Sequence, residues 1–142
     1  YLKYDWCHTD GQDTRDSYAR MGQALRASGR PIVFSICEWG GRFPHLWARQ
    51  AGGQMWRSTG DVVDGWVNTL HGNWWGLGID SVIDLAANLH EYAGPGGWND
   101  MDMLVVGLSG SSEQIPGKGA SLIEYRTHMS LWSVMEAVFS PI

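Results

Sequence analysis

Basic side chains are scarce: ten Lys and Arg stand against fifteen Asp and Glu in 142 residues, a net charge of −5. That deficit removes the positive footprint by which proteins hold nucleic acid or an anionic membrane surface, so neither is an expected partner. Apolar runs of membrane-spanning length are missing as well, and the first residues carry no basic-then-apolar leader. The chain starts inside a strand-like pattern, which suggests a piece of a longer domain. There are two cysteines, Cys7 and Cys37. They can pair with each other, with partners outside this segment, or not at all, so cysteine usage leaves the redox compartment open. No internal repeat, low-complexity tract or linker divides the chain, so residues 1–142 read as part of one domain. Phenylalanine is also rare, three against nine Trp. Indoles stack well on the apolar faces of sugar rings, although each can equally be core.

What is present has the rhythm of βα units. Leu2-Lys3-Tyr4-Asp5-Trp6-Cys7 alternates, so Lys3, Asp5 and Cys7 share one face of a strand. A helical pattern over residues 14–28 follows, stopped by Gly29. Residues 31–37 form a nearly continuous apolar run, as in a strand covered on both faces. A short helix is expected over 44–50 with Leu46 and Trp47 on one side, then a strand from Met55 that Val62 and Val63 continue. Helical spacing recurs over 66–74 and 81–89. Glycine and proline dominate 94–98 and deliver Asn99-Asp100-Met101-Asp102-Met103. A loop over 109–119 precedes a long helix over 122–138, with Tyr125, Met129, Trp132 and Met135 as its buried face. Pro141-Ile142 suggests another strand. The spacing predicts an α/β fold with a parallel sheet.

Acids stand at the carboxyl ends of the predicted strands: Asp5, Glu38, Asp61, Asp100 and Asp102. Parallel sheets place their sites there, so residues remote in sequence can converge on one pocket. For Asp100 the competing reading is a helix N-cap. Lys3 two residues before Asp5 favours its ionised form, as a carboxylate nucleophile requires. Arg57 and Asp61, an even number of residues apart, would share one face of an extended strand, where a guanidinium can bind carboxylate and sugar together. Paired carboxylates, many indoles and no metal-ligand spacing among His8, His45, His71, His90 and His128 point to glycoside hydrolysis without metal or cofactor. Gly94-Pro95-Gly96-Gly97 lacks the Lys-Ser/Thr ending of a phosphate cradle.

Four ordered motifs carry a closer resemblance. They are Leu2-Lys3-Tyr4-Asp5-Trp6-Cys7, Ser35-Ile36-Cys37-Glu38-Trp39-Gly40, Trp56-Arg57-Ser58-Thr59-Gly60-Asp61, and the stretch from Ala93 to Met103. Together they resemble the signatures of the α-galactosidases of glycoside hydrolase family 27. The resemblance implies the C-terminal half of a (β/α)8 barrel, about strand 4 to strand 7 or 8. It further implies a retaining enzyme with Asp5 as nucleophile and Asp61 as acid/base. Lys3, Cys7, Glu38, Trp39, Arg57, Asp102 and Met103 would be the substrate-binding residues, Glu38 at the sugar's 2-position and favouring galactose. A terminal α-galactoside is the implied partner, no cofactor is implied, and a secreted, periplasmic or lysosomal-type compartment is favoured. Relatives pair the cysteine at the Cys7 position with one upstream of this segment. Met101 replaces the usual proline before Asp102, which is expected to loosen that turn. Alternatives within the resemblance are a β-L-arabinopyranosidase or an α-N-acetylgalactosaminidase; outside it, a non-catalytic galactose-binding remnant.

Overall fold

A computed structural model describes residues 1–67, 76–110 and 119–135. Strand β1 (Leu2–Asp5) is followed by α1 (Thr14–Ala27), β2 (Phe34–Cys37), a 3-10 turn (Pro44–Leu46), α2 (Ala48–Ala51), β3 (Met55–Arg57) and β4 (Asp61–Val62). After 68–75 come β5 (Gly76–Leu77), α3 (Ile79–Ala86), a second 3-10 turn (His90–Tyr92), β6 (Trp98–Asp100) and α4 (Leu122–Val134). Four strands form one parallel sheet in the order β1-β2-β3-β6, and β4 pairs with β5, also in parallel. The α/β expectation and the parallel sheet are therefore met.

Capping and burial explain the first unit. The Asp13 side chain caps α1 by accepting from the Asp16 N–H at 2.9 Å, and Gly29 (φ +67) lets the chain leave. Tyr18 on α1 is fully buried, its hydroxyl within 3.0 Å of the Tyr4 carbonyl and 2.8 Å of the Cys37 carbonyl. One side chain thus fixes the helix against the carboxyl ends of β1 and β2. Around it pack Trp6, Phe34, Ile36, Trp47 and Trp56. Truncating a fully buried indole such as Trp56 costs about 3–5 kcal/mol, so much of the Trp excess is core. A second cluster joins Val62, Ile79, Val82, Met101, Val105 and Trp132.

Several boundaries differ from the sequence reading. β2 starts only at Phe34, where pairing with Leu2 begins. Residues 44–51 split into a 3-10 turn and a single helical turn, which puts Leu46 outward (53% exposed) and Trp47 inward (4%). The strand from Met55 ends at Arg57, and Asp61–Val62 joins a separate sheet. On α4 the buried face is Tyr125, His128 and Trp132; Met129 is 44% exposed. Most of the helical pattern over 66–74, most of the loop over 109–119, His71, the helix beyond 135 and the strand suggested at Pro141 lie outside the described residues.

The glycine-rich 94–98 turn holds a cation. Arg49 donates to the carbonyls of Tyr92, Gly94, Pro95 and Gly97, at 2.8 Å for the last, and stands over the Trp56 ring. A Cβ on Gly97 would lie 2.7 Å from that ring, so only glycine lets the turn reach the core. Carbonyl oxygens aimed at a guanidinium are the opposite of a phosphate cradle.

His128, fully buried on α4, accepts the Val105 N–H at Nε2 (3.1 Å), and burial lowers its pKa from 6.5 to about 4. Because the unfolded chain takes up this proton first, stability present above pH 6.5 is lost as pH falls through 6.5 towards 4, by about 3 kcal/mol in all. Melting of the full-length protein is therefore expected to be more acid-sensitive in this window than melting of His128→Asn. Equal slopes for the two proteins would exclude that assignment.

Candidate active site

Register places the site. Asp5 lies opposite Cys37, and Arg57 opposite Asp100. Cys37 Sγ is 3.9 Å from Arg57 Nη1. The last residues of the four strands thus make one tier, Asp5, Cys37, Arg57 and Asp100, on the face away from Tyr18 and Trp56. Lys3, one layer below, pairs with Asp5 at 4.0 Å, both partly exposed. The predicted sharing of a face by Lys3 and Asp5 is met.

Arg57 is the centre of this rim. It is 1% exposed, a cost that only close anions repay. Nη2 meets Asp61 Oδ1 at 2.9 Å, and Nη1 meets Asp102 Oδ1 at 3.1 Å. Burial works against its charge, but the carboxylates of Asp102, Asp100 and Asp61 raise its pKa overall. The Arg57–Asp61 pair arises from a turn through Ser58, Thr59 and Gly60, during which Arg57 also donates to the Thr59 carbonyl (3.3 Å). It does not arise from strand periodicity, since the chain leaves β3 after Arg57. Tight approach permits that turn: Gly40 sits at φ +78, and a Cβ there would lie 2.2 Å from the Ser58 carbonyl oxygen.

Asp61 is half-exposed at the start of β4. Asp102 occupies the left-handed region at φ +79, costly for a residue with a Cβ. Its neighbours hold it there. Its N–H donates to Asp100 Oδ1 (2.8 Å), its Oδ2 accepts from the Val62 N–H (2.9 Å), and its carbonyl accepts from Trp132 Nε1 (3.0 Å). Met101 is buried in the second cluster, so the turn expected to loosen without proline is anchored. Asp100 is a strand residue, not an N-cap; burial raises its pKa against the opposing pull of Arg57.

Glu38 follows β2 with its side chain fully buried. Oε2 accepts from the Arg42 N–H (2.8 Å), while Oε1 has no hydrogen-bond partner. Burial raises its pKa to about 7, against the Arg42 contacts. Arg42 itself stands over the Trp6 ring. Trp39, at φ +58, packs half-buried against the helix-side core, and Met103 is exposed just beyond Asp102.

Both cysteines are free thiols: Cys7 exposed past β1, Cys37 buried in the tier. They do not pair with each other, and no disulfide forms among the described residues. Burial pushes the Cys37 thiol up to about 12, overcoming Arg57 and Lys3, with Asp5 adding to the rise. It is therefore a neutral neighbour of Asp5. No group of His, Cys, Asp and Glu among the described residues is arranged to hold a metal, and no described helix is long and apolar enough to cross a membrane.

The sequence reading missed Asp64. Fully buried, it accepts from Gly110 N–H, Ala120 N–H and the Tyr125 hydroxyl, at 2.8, 3.1 and 2.6 Å. An acid set between Val63 and Gly65 in an apolar stretch was the available signal.

A parallel sheet whose carboxyl ends gather carboxylates around one buried guanidinium defines an α/β protein with a polar site at the strand ends. The chain belongs to the Melibiase_2 family, described as Alpha galactosidase A, whose model matches residues 1–140. It is 44% identical over 136 residues to alpha-galactosidase A of Cellvibrio japonicus, covering 95% of this chain and 31% of that protein. Alpha-galactosidase I from Mortierella vinacea is similar in structure, with a TM-score of 0.81 and 31% identity over 99% of this chain and 37% of the other. The alpha-galactosidase of Saccharomyces cerevisiae, solved with raffinose, gives a TM-score of 0.79 and 28% identity over 98% and 32%. The chain thus spans about a third of the length of each of these relatives.

Proposed function

We propose that residues 1–142 are part of one (β/α)8 catalytic domain, its C-terminal half from about strand 4 to strand 7 or 8, in a retaining α-galactosidase. The observation that carries this reading is the Arg57 clamp: Arg57, on the tier that contains Asp5, holds Asp61 and Asp102. Asp5 attacks the anomeric carbon as its bond to the aglycone oxygen breaks, and Asp61 gives that oxygen a proton. In the second step Asp61 takes a proton from water, whose oxygen displaces Asp5 and restores the original configuration, with the carboxyl groups roughly 5–5.5 Å apart.

The other residues have binding roles. Lys3, 4.0 Å from Asp5, meets a sugar hydroxyl. Asp102 and Met103 line the galactose site, and Trp39 and Cys7 border it. Glu38, directly after β2 in the second motif, is assigned to the sugar 2-hydroxyl by that position. The full-length protein is expected to hydrolyse nitrophenyl α-galactoside, with α-galactose as the first-formed anomer by NMR. Faster turnover of the β-L-arabinopyranoside or the α-N-acetylgalactosaminide would reassign the substrate. Galactose binding without any turnover would leave a binding protein, and a β first product would sink the retaining mechanism.

A further inference from the structure

We propose that Trp132 is a positioning residue for Asp102, as one rung of a three-rung clamp that α4 closes on the chain segment from 102 to 109. The proposal rests on the reading of Asp102 as a galactose-binding carboxylate. Tyr125, His128 and Trp132 are spaced by three and four residues, which puts them on one helix face, and all three are buried. Each makes one hydrogen bond to the backbone of that segment. The Ser109 N–H donates to the Tyr125 hydroxyl (2.8 Å), the Val105 N–H donates to His128 Nε2 (3.1 Å), and Trp132 Nε1–H donates to the Asp102 carbonyl (3.0 Å). His128 also steadies the indole edge-on, ring centroids 4.0 Å apart.

The rung at Asp102 matters most because that residue sits where a Cβ is disfavoured, at φ +79. Its carboxylate is useful only in this pose, with one oxygen on Arg57 and the other on the Val62 N–H. Trp132 is fully buried, and water cannot readily replace its N–H. Losing that donor leaves the Asp102 carbonyl unsatisfied and frees the peptide to rotate out of the left-handed region. Asp102 then slides off both partners. The helix therefore reaches the pocket without touching the sugar, and its contribution is to binding more than to bond cleavage.

The test uses the full-length protein with Trp132→Phe, and separately with Trp132 replaced by β-(3-benzothienyl)alanine, which keeps the indole shape but has sulfur in place of N–H and so guards against a failure of Phe to pack. For nitrophenyl α-galactoside, KM is expected to rise about tenfold with kcat within about threefold. Hydrogen–deuterium exchange at the Val62 amide is expected to accelerate about tenfold or more, while β2 amides keep their protection. Unchanged exchange at Val62 in the isosteric variant overturns the clamp, and so does unchanged KM in an active protein. Wild-type protein that hydrolyses no galactoside removes the functional reading alone, because the exchange measurement stands without turnover.

Discussion

Replacing Asp5 with Gly in the full-length protein is expected to lower kcat/KM for nitrophenyl α-galactoside by about 10⁴-fold or more, the scale on which loss of a catalytic nucleophile is felt. Stability is expected to change little, because Asp5 is exposed and its contact with Lys3 is a 4.0 Å surface pair. The distinguishing observation is rescue. Azide entering the vacated space attacks the anomeric carbon from the face Asp5 would use, and the product is β-galactosyl azide. Asp61→Ala should behave differently, since nitrophenolate leaves without a proton: the first step survives and the galactosyl-enzyme accumulates. Retention of more than about a tenth of wild-type activity in Asp5→Gly, or an α-azide product, would remove Asp5 from its role.

Arg57→Leu is expected to cost about 3–5 kcal/mol of folding free energy and to abolish turnover, because it strands charges that were buried on its account. Asp102 loses the partner of Oδ1, Asp61 loses its 2.9 Å contact, and Asp100 loses the cation that opposes its desolvation. Asp61, Asp100 and Asp102 then repel one another around the vacated guanidinium position. Protonation relieves the repulsion, so the deficit of the variant should shrink as pH is lowered from 7 towards 4. Denaturant midpoints of both proteins across that range measure it. A deficit below about 1 kcal/mol, or one that grows on acidification, would show that Arg57 is not the charge that organises the rim.

How far the sequence led depended on the reach of each signal. Period-two alternation located β1 and the shared face of Lys3 and Asp5, and the 3.6-residue period with Gly29 as a stop located α1. The same period misjudged α4 by one position, because Met129 and His128 are adjacent and hydropathy favours Met. His128 is buried instead, since its ring nitrogen can accept the Val105 N–H. Arg57 and Asp61 were paired correctly for a wrong reason. Strand periodicity predicted a common face, whereas a three-residue turn brings them together. Patterning marked Asp64 only as an acid in an apolar stretch, and its role stayed hidden because its partners, Gly110, Ala120 and Tyr125, lie 46 to 61 residues away.

The sequence by itself determined the βα order, the acids at the strand ends and the family, since these reside in local spacing and in motifs that fold on short-range preferences. Tertiary structure decided which acids meet. Only the parallel register sets Asp5, Cys37, Arg57 and Asp100 on one tier. Asp102 is held in a left-handed conformation by contacts from three places in the chain, Asp100, Val62 and Trp132 of α4. Charge convergence and backbone strain both depend on contacts distant in the chain, and such contacts form only when the sheet and the helix have closed.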